Sequence, residues 1–190
     1  MKKITAIILL LITLCLCFIG CGEIDQNSKE AENARALVNA LVEYSYELNV
    51  IYYGEGMSIQ DEEEGDGLYS PVTSDSNYLT RRALENRTRE IFCKDLADTM
   101  IKMAFEGEQG GISTTAVLAR YIEYNGHLSA RIDYEPMPVT KYDYTSTIIT
   151  KISERFIQAE IKSVNLEENK YFKITLINEE NGWRLYDTTC

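Results

Sequence analysis

The hydrophobic period of this chain changes once, near residue 114, and that change limits the folds open to it. Before it, apolar residues recur three and four apart. Ala34, Leu37, Val38, Leu41, Ser45 and Leu48 share one helical face. The spacing predicts a helix over 28–50, with Asn27 and Glu30 placed as a capping box. Leu84, Ile91 and Phe92 give a second helix its apolar side. Thr80 is its expected N-cap, and Leu79 and Leu84 stand where a hydrophobic staple would. Leu96, Ala97, Met100, Ile101 and Ala104 mark a third helix, stopped by Gly107. Cys93 falls in this apolar stretch and reads as a buried thiol.

After residue 114 the pattern alternates. It predicts strands over 116–124, 127–134, 142–152, 155–165, 171–178 and 183–188. Asn125-Gly126 is a strong hairpin turn, because both residues tolerate positive φ. Ser153-Glu154 and Glu179-Glu180-Asn181-Gly182 close two more hairpins. Pro136 and Pro138 end the second strand. Leu68–Val72 reads as a short edge segment confined by Pro71. Phe172, Ile174 and Leu176 are placed on one sheet face, and Ile157, Ala159 and Ile161 on another. Helices first and antiparallel hairpins after is an α+β order. The expected architecture has N-terminal helices packed on a curved antiparallel sheet, an NTF2-like cone arrangement. No repeat or linker divides the chain, so residues 28–190 are expected to form a single domain.

The first twenty residues differ from the rest. Lys2 and Lys3 precede an almost wholly apolar run from Ile4 to Ile19. A membrane span wants about 20 apolar residues, and this run is shorter. It reads as a signal peptide over 1–20 rather than an anchor. Phe18-Ile19-Gly20-Cys21 resembles a bacterial lipoprotein lipobox, in which a small residue precedes a cysteine that becomes acylated. Phe18 departs from the usual leucine. Cys15 and Cys17 follow Leu14 and Leu16 and fit less well. Cleavage before Cys21 removes two lysines and no acid, leaving 170 residues with a net charge of −13. Two acyl chains hold a protein where one barely does. The expected location is the cell membrane, lipid-anchored on the extracytoplasmic face, with residues 21–27 as a tether. Export permits a disulfide between Cys93 and Cys190 but does not require one.

Charge and motifs narrow the function. The chain has 19 Lys+Arg against 30 Asp+Glu, and a nucleic-acid partner would call for a basic surface. None is expected. There is no CxxC spacing for zinc, and no HExxH, GxSxG, Walker or dinucleotide motif. In the acidic run Asp61–Gly67, Glu62, Glu64, Asp66 and Gly67 mimic half a calcium loop, but position twelve is Thr73 rather than the required Glu. The run reads as a solvated loop. The single histidine, His127, sits beside a tight turn and reads as incidental. The protein is expected not to be an enzyme and to need no metal or cofactor. Of the thirteen tyrosines, those in strands suit sheet packing. The Tyr52-Tyr53-Gly54 corner is the candidate partner-binding site, since glycine lets a partner approach the backbone.

Several stretches together resemble a family of exported Firmicute proteins, the IseA-like DL-endopeptidase inhibitors. They are Ile51–Met57, Tyr69–Val72, Leu84–Leu96, Arg120–Leu128 and Thr175–Leu185, spread over residues 40–190. Their order and spacing carry the likeness. It implies a protein that binds a cell-wall peptidase and blocks its cleft without chemistry of its own. The lipid is a departure from that family. The alternative expectation is an NTF2-like small-ligand-binding lipoprotein.

Overall fold

The computed structural model describes residues 24–64, 67–107, 118–164, 170–187 and 189. Among them are three helices and two antiparallel sheets, an α+β fold. Helix α1 spans Lys29–Tyr52. Its buried stripe includes Ala34, Val38, Leu41, Ser45 and Leu48, the periodic face expected. The N-cap is Ser28 rather than Asn27: Ser28 Oγ accepts from the Ala31 N–H at 3.2 Å, while the Asn27 N–H is turned back onto Asp25 Oδ1.

Helices α2 (Arg81–Ile91) and α3 (Lys94–Glu106) follow. Thr80 caps α2 as expected, accepting from the Ala83 N–H. The staple does not bury Leu79, which stays 44% exposed; its carbonyl instead accepts from the Leu128 N–H. Cys93 is buried but lies between the two helices, as the N-cap position of α3 in extended conformation. Its thiol is free. Its pairing with Cys190 falls outside the described residues, as do Cys21 and the calcium-loop residue Asp66.

The expected single sheet is two. Strands β1 (Tyr69–Pro71), β2 (Tyr121–Tyr124) and β3 (His127–Arg131) form one in the order β1-β3-β2, so Pro71 does lie on an edge. Strands β4 (Tyr142–Ile152), β5 (Phe156–Ser163), β6 (Tyr171–Glu179) and β7 (Gly182–Leu185) form a four-stranded meander. Pro136 and Pro138 lie in the connection, where they cannot donate to a ladder. Asn125 and Gly126 turn the β2–β3 hairpin with φ of 49° and 84°. The strand predicted over 116–124 is regular only from Tyr121, and residues 108–117 lie outside the described ones.

In the meander, Ile157 pairs with Leu176, Ala159 with Ile174 and Ile161 with Phe172. These residues therefore share one face, not two. That face packs into a core with Val38, Leu48, Phe92, Met100 and Tyr121, so residues of the helices and both sheets meet in it. Both edges of the meander are covered, which blunts an otherwise exposed pairing edge. Along β4, the Gln26 amide donates to the Ile149 carbonyl at 2.7 Å and accepts from its N–H at 3.1 Å. Arg35 donates to the Thr147 carbonyl and Asn39 to that of Tyr144. Along β7, the Cys93 N–H donates to the Leu185 carbonyl. No helix among the described residues is long and apolar enough to cross a membrane.

Candidate functional site

A helix end leaves its last carbonyls without partners in the helix. At the end of α1 these are supplied from far along the chain. Arg120 donates from Nη1 to the Tyr52 carbonyl at 2.9 Å and from Nη2 to the Gly54 carbonyl at 2.7 Å. Tyr121 Oη donates to the Ile51 carbonyl at 2.7 Å. A cation at a helix C-terminus also opposes the negative end of the dipole. Arg120 is only 5% exposed, and its guanidinium lies 3.7 Å from the centroid of the Tyr134 ring. Gly56 makes this approach possible. It has φ +86°, and a Cβ there would stand 2.7 Å from Arg120 Nη2.

The Tyr52-Tyr53-Gly54 corner sits inside this junction. Tyr52 is buried, its hydroxyl bonded to Thr88 Oγ1, and burial pushes its phenol well above the ordinary range. Gly54 is buried as well; a Cβ would meet Val139 Cγ2 at 2.9 Å. Its lack of a side chain thus serves close packing. Tyr53 is half-buried; it lines one cleft together with Tyr52, and Gly54 lines another.

Three clefts open to solvent around the α1 end. One of about 420 Å³ includes Tyr46, Glu47, Val50, Met57 and Asp75. A second, of about 450 Å³, runs past Tyr46, Val50, Glu55 and Pro136–Val139. These two share Tyr46 and Val50 and form adjoining grooves. The third, of about 180 Å³, is bordered by Tyr53, Arg120, Tyr134 and three methionines. Glu55 and Asp75 are exposed at the groove edges. Glu47 is half-buried and accepts from the Asn77 amide. No residue of the 136–139 segment or of 73–78 was expected here. Periodicity marks core faces, and these are loop residues that only tertiary folding brings to α1.

A second cluster joins three residues that sequence reading kept apart. Glu64 Oε1 lies 2.8 Å from His127 Nε2, and Glu64 Oε2 accepts from Ser129 Oγ at 2.5 Å. The Ser129 hydrogen bond, first, and the His127 interactions hold the Glu64 carboxyl below the usual carboxylate range. Glu64 is therefore not a solvated loop acid, and His127 is not without a role: they tie the acidic segment to β3. The cluster is poorly arranged for hydrolysis. A serine nucleophile needs a base that takes its proton. Here the hydroxyl points to a carboxylate of lowered basicity, and Ser129 is fully buried.

No family model and no curated protein matches the chain. Ile51–Met57 is held by Arg120 and Tyr121. Tyr69–Pro71 pairs with β3, and Phe92 bridges to Leu185.

Proposed function

We propose that this protein is a non-enzymatic, lipid-anchored cell-surface protein that binds and inhibits a cell-wall DL-endopeptidase. The observation that carries the reading is the pair of adjoining open grooves around the α1 end, aromatic at Tyr46 and edged by Glu47, Glu55 and Asp75, with Lys141 the one cation among their lining residues. A protein docking site needs apolar anchors in reach of charged rims that steer and align the partner. The helix–sheet interior is packed with side chains such as Leu48, Phe92 and Ile161, which leaves the open grooves as the surface for a protein partner. A net charge of −11 suits a partner with a basic cleft. The NTF2-like cone belongs to this proposal. Its support is the pair of register shifts between β4 and β5, at Asp143/Ile148 and Ile149/Lys151, since bulges bend a sheet.

The extracytoplasmic location rests on Cys21. Cys21→Ala is expected to release the protein from membranes with its circular dichroism unchanged; a variant still membrane-bound after a high-salt wash refutes the anchor. The function is tested by adding the purified lipoprotein to cell-wall hydrolases of the same cell and following peptide release from peptidoglycan. Dose-dependent inhibition that weakens with salt and with Asp75→Lys is the expected result. Retention and inhibition of none of them sinks the proposal.

A further inference from the structure

The third cleft carries an inference that is independent of the inhibitor reading. A buried cation is normally compensated by a carboxylate, because its desolvation is expensive. Arg120 forms no ion pair with a carboxylate among the described residues. It has five N–H donors, of which two are spent on the Tyr52 and Gly54 carbonyls and another reaches the Tyr121 hydroxyl. Among the described residues Nε donates to no protein acceptor, and no buried side-chain nitrogen of theirs is left without a partner or solvent contact. Arg120 also lines the cleft of about 180 Å³.

The rest of the lining is apolar and adaptable. Met100, Met103 and Met137 contribute thioethers, and Leu118 and the tyrosines Tyr52, Tyr53 and Tyr134 stand among the other lining residues. Methionine repacks easily around varied ligands. Met103, Leu118 and Met137 are 37%, 43% and 53% exposed, so large apolar groups gather at this mouth. A cavity of about 150 Å³ holds a benzene ring, and this cleft is of that size. We propose that it binds a small carboxylate bearing a ring-sized or branched apolar group, the carboxylate meeting the free donor edge of Arg120 and the apolar part lying among the methionines. Such a group is offered either by a free organic acid or by the C-terminal residue of a peptide.

Methionine methyl resonances report this directly. The full chain in phospholipid nanodiscs, labelled at methionine methyls, is titrated with benzoate, with neutral benzamide, and with a short peptide ending in phenylalanine as free acid or as amide, each up to about 10 mM, which saturates a site of millimolar Kd. Met57 lies in the neighbouring groove and serves as internal control. Benzoate or the free-acid peptide should shift Met100, Met103 and Met137 but not Met57, while benzamide and the amidated peptide should not. A response to benzoate identifies a free acid as sufficient; a response to the peptide acid alone assigns the site to chain termini. Arg120 holds α1, so the variants are placed at the exposed rim. Leu118→Glu, which sets a like charge at the mouth, should abolish the shifts, and Leu118→Gln should keep them. Absence of any shift, equal shifts with the neutral compounds, or full binding by Leu118→Glu overturns the proposal. Because no peptidase is present, failure here leaves the inhibitor reading untouched.

Discussion

Replacing Arg120 by Met removes a buried charge but keeps most of the side chain's length. Two carbonyls, of Tyr52 and Gly54, lose their donors. Each buried carbonyl left dry costs about 1–3 kcal/mol, so the pair costs about 4 kcal/mol at mid-range. The contact with the Tyr134 ring at 3.7 Å is lost as well, about 1–2 kcal/mol for a largely desolvated pair. Against this, removing a buried charge returns desolvation, about 1–4 kcal/mol in comparable replacements. The balance is a destabilisation of about 3 kcal/mol. For a urea slope of about 2 kcal/mol/M, the midpoint should fall by about 1.5 M. Urea unfolding followed by circular dichroism and by Trp183, the single tryptophan, measures it. Hydrogen exchange should also quicken at the amides of Gly54 and Gly56, which bond back to the carbonyls of Asn49 and Val50. A midpoint unchanged within about 0.3 M, with those amides still protected, would show that water already satisfies the helix end. The lock assigned to Arg120 would then be wrong.

Trp183 is partly buried against the core, so Trp183→Ala should cost about 1–2 kcal/mol, below the about 3–5 kcal/mol of a fully buried ring; thermal denaturation reads it, and a loss at the upper figure would contradict the half-exposed placement. Glu64 has its carboxyl depressed in the fold by Ser129 and His127. Its contribution is therefore present above the unfolded value of about 4.3 and lost as pH falls through the lower folded value. Glu64→Gln should accordingly flatten the acid limb of the stability–pH curve, and an identical limb in the variant counts against the cluster. Gly126→Ala meets open space at φ +84° and should cost only about 1 kcal/mol. Gly56→Ala, with Arg120 Nη2 at 2.7 Å, should lower the urea midpoint further; equal losses would mean that backbone strain alone matters at both.

Local signals survived folding where they were also local in cause. The Asn125-Gly126 turn follows from two residues that accept positive φ, and the Thr80 cap from one hydroxyl near one N–H. The α1 stripe likewise appears as read. The two-sheet division was written in Pro136 and Pro138, but a proline pair reads equally well as a strand end or a sheet break. Faces of β5 and β6 needed register, which turn lengths alone do not reveal when residues 165–169 join them. The site was harder. Tyr52-Tyr53-Gly54 was legible as an unusual corner, yet the reason for its glycine, the nearness of Val139, is 85 residues away in the chain. Arg120 looked like any cation inside the strand expected over 116–124. Its burial follows from meeting an unfinished helix end, a long-range event without a sequence period. Glu64 and His127 were each read singly, because 63 residues separate them.

The Gln26 amide, by bonding both backbone groups of Ile149, fastens the chain to β4 before α1 begins, and Ile24 packs on the core. A leader presumed slack up to residue 27 is thus taut from residue 24. Should Cys21 carry lipid, the three residues from there to Ile24 pay out at most about 10 Å. The 24 residues of α1 then add a strut of about 36 Å, with the grooves at its far tip. The stretch from Ile24 to Lys29 adds at most about 17 Å, so standoff above the bilayer is capped at about 63 Å, and under the proposed function a cleft that sits higher in the wall is out of range.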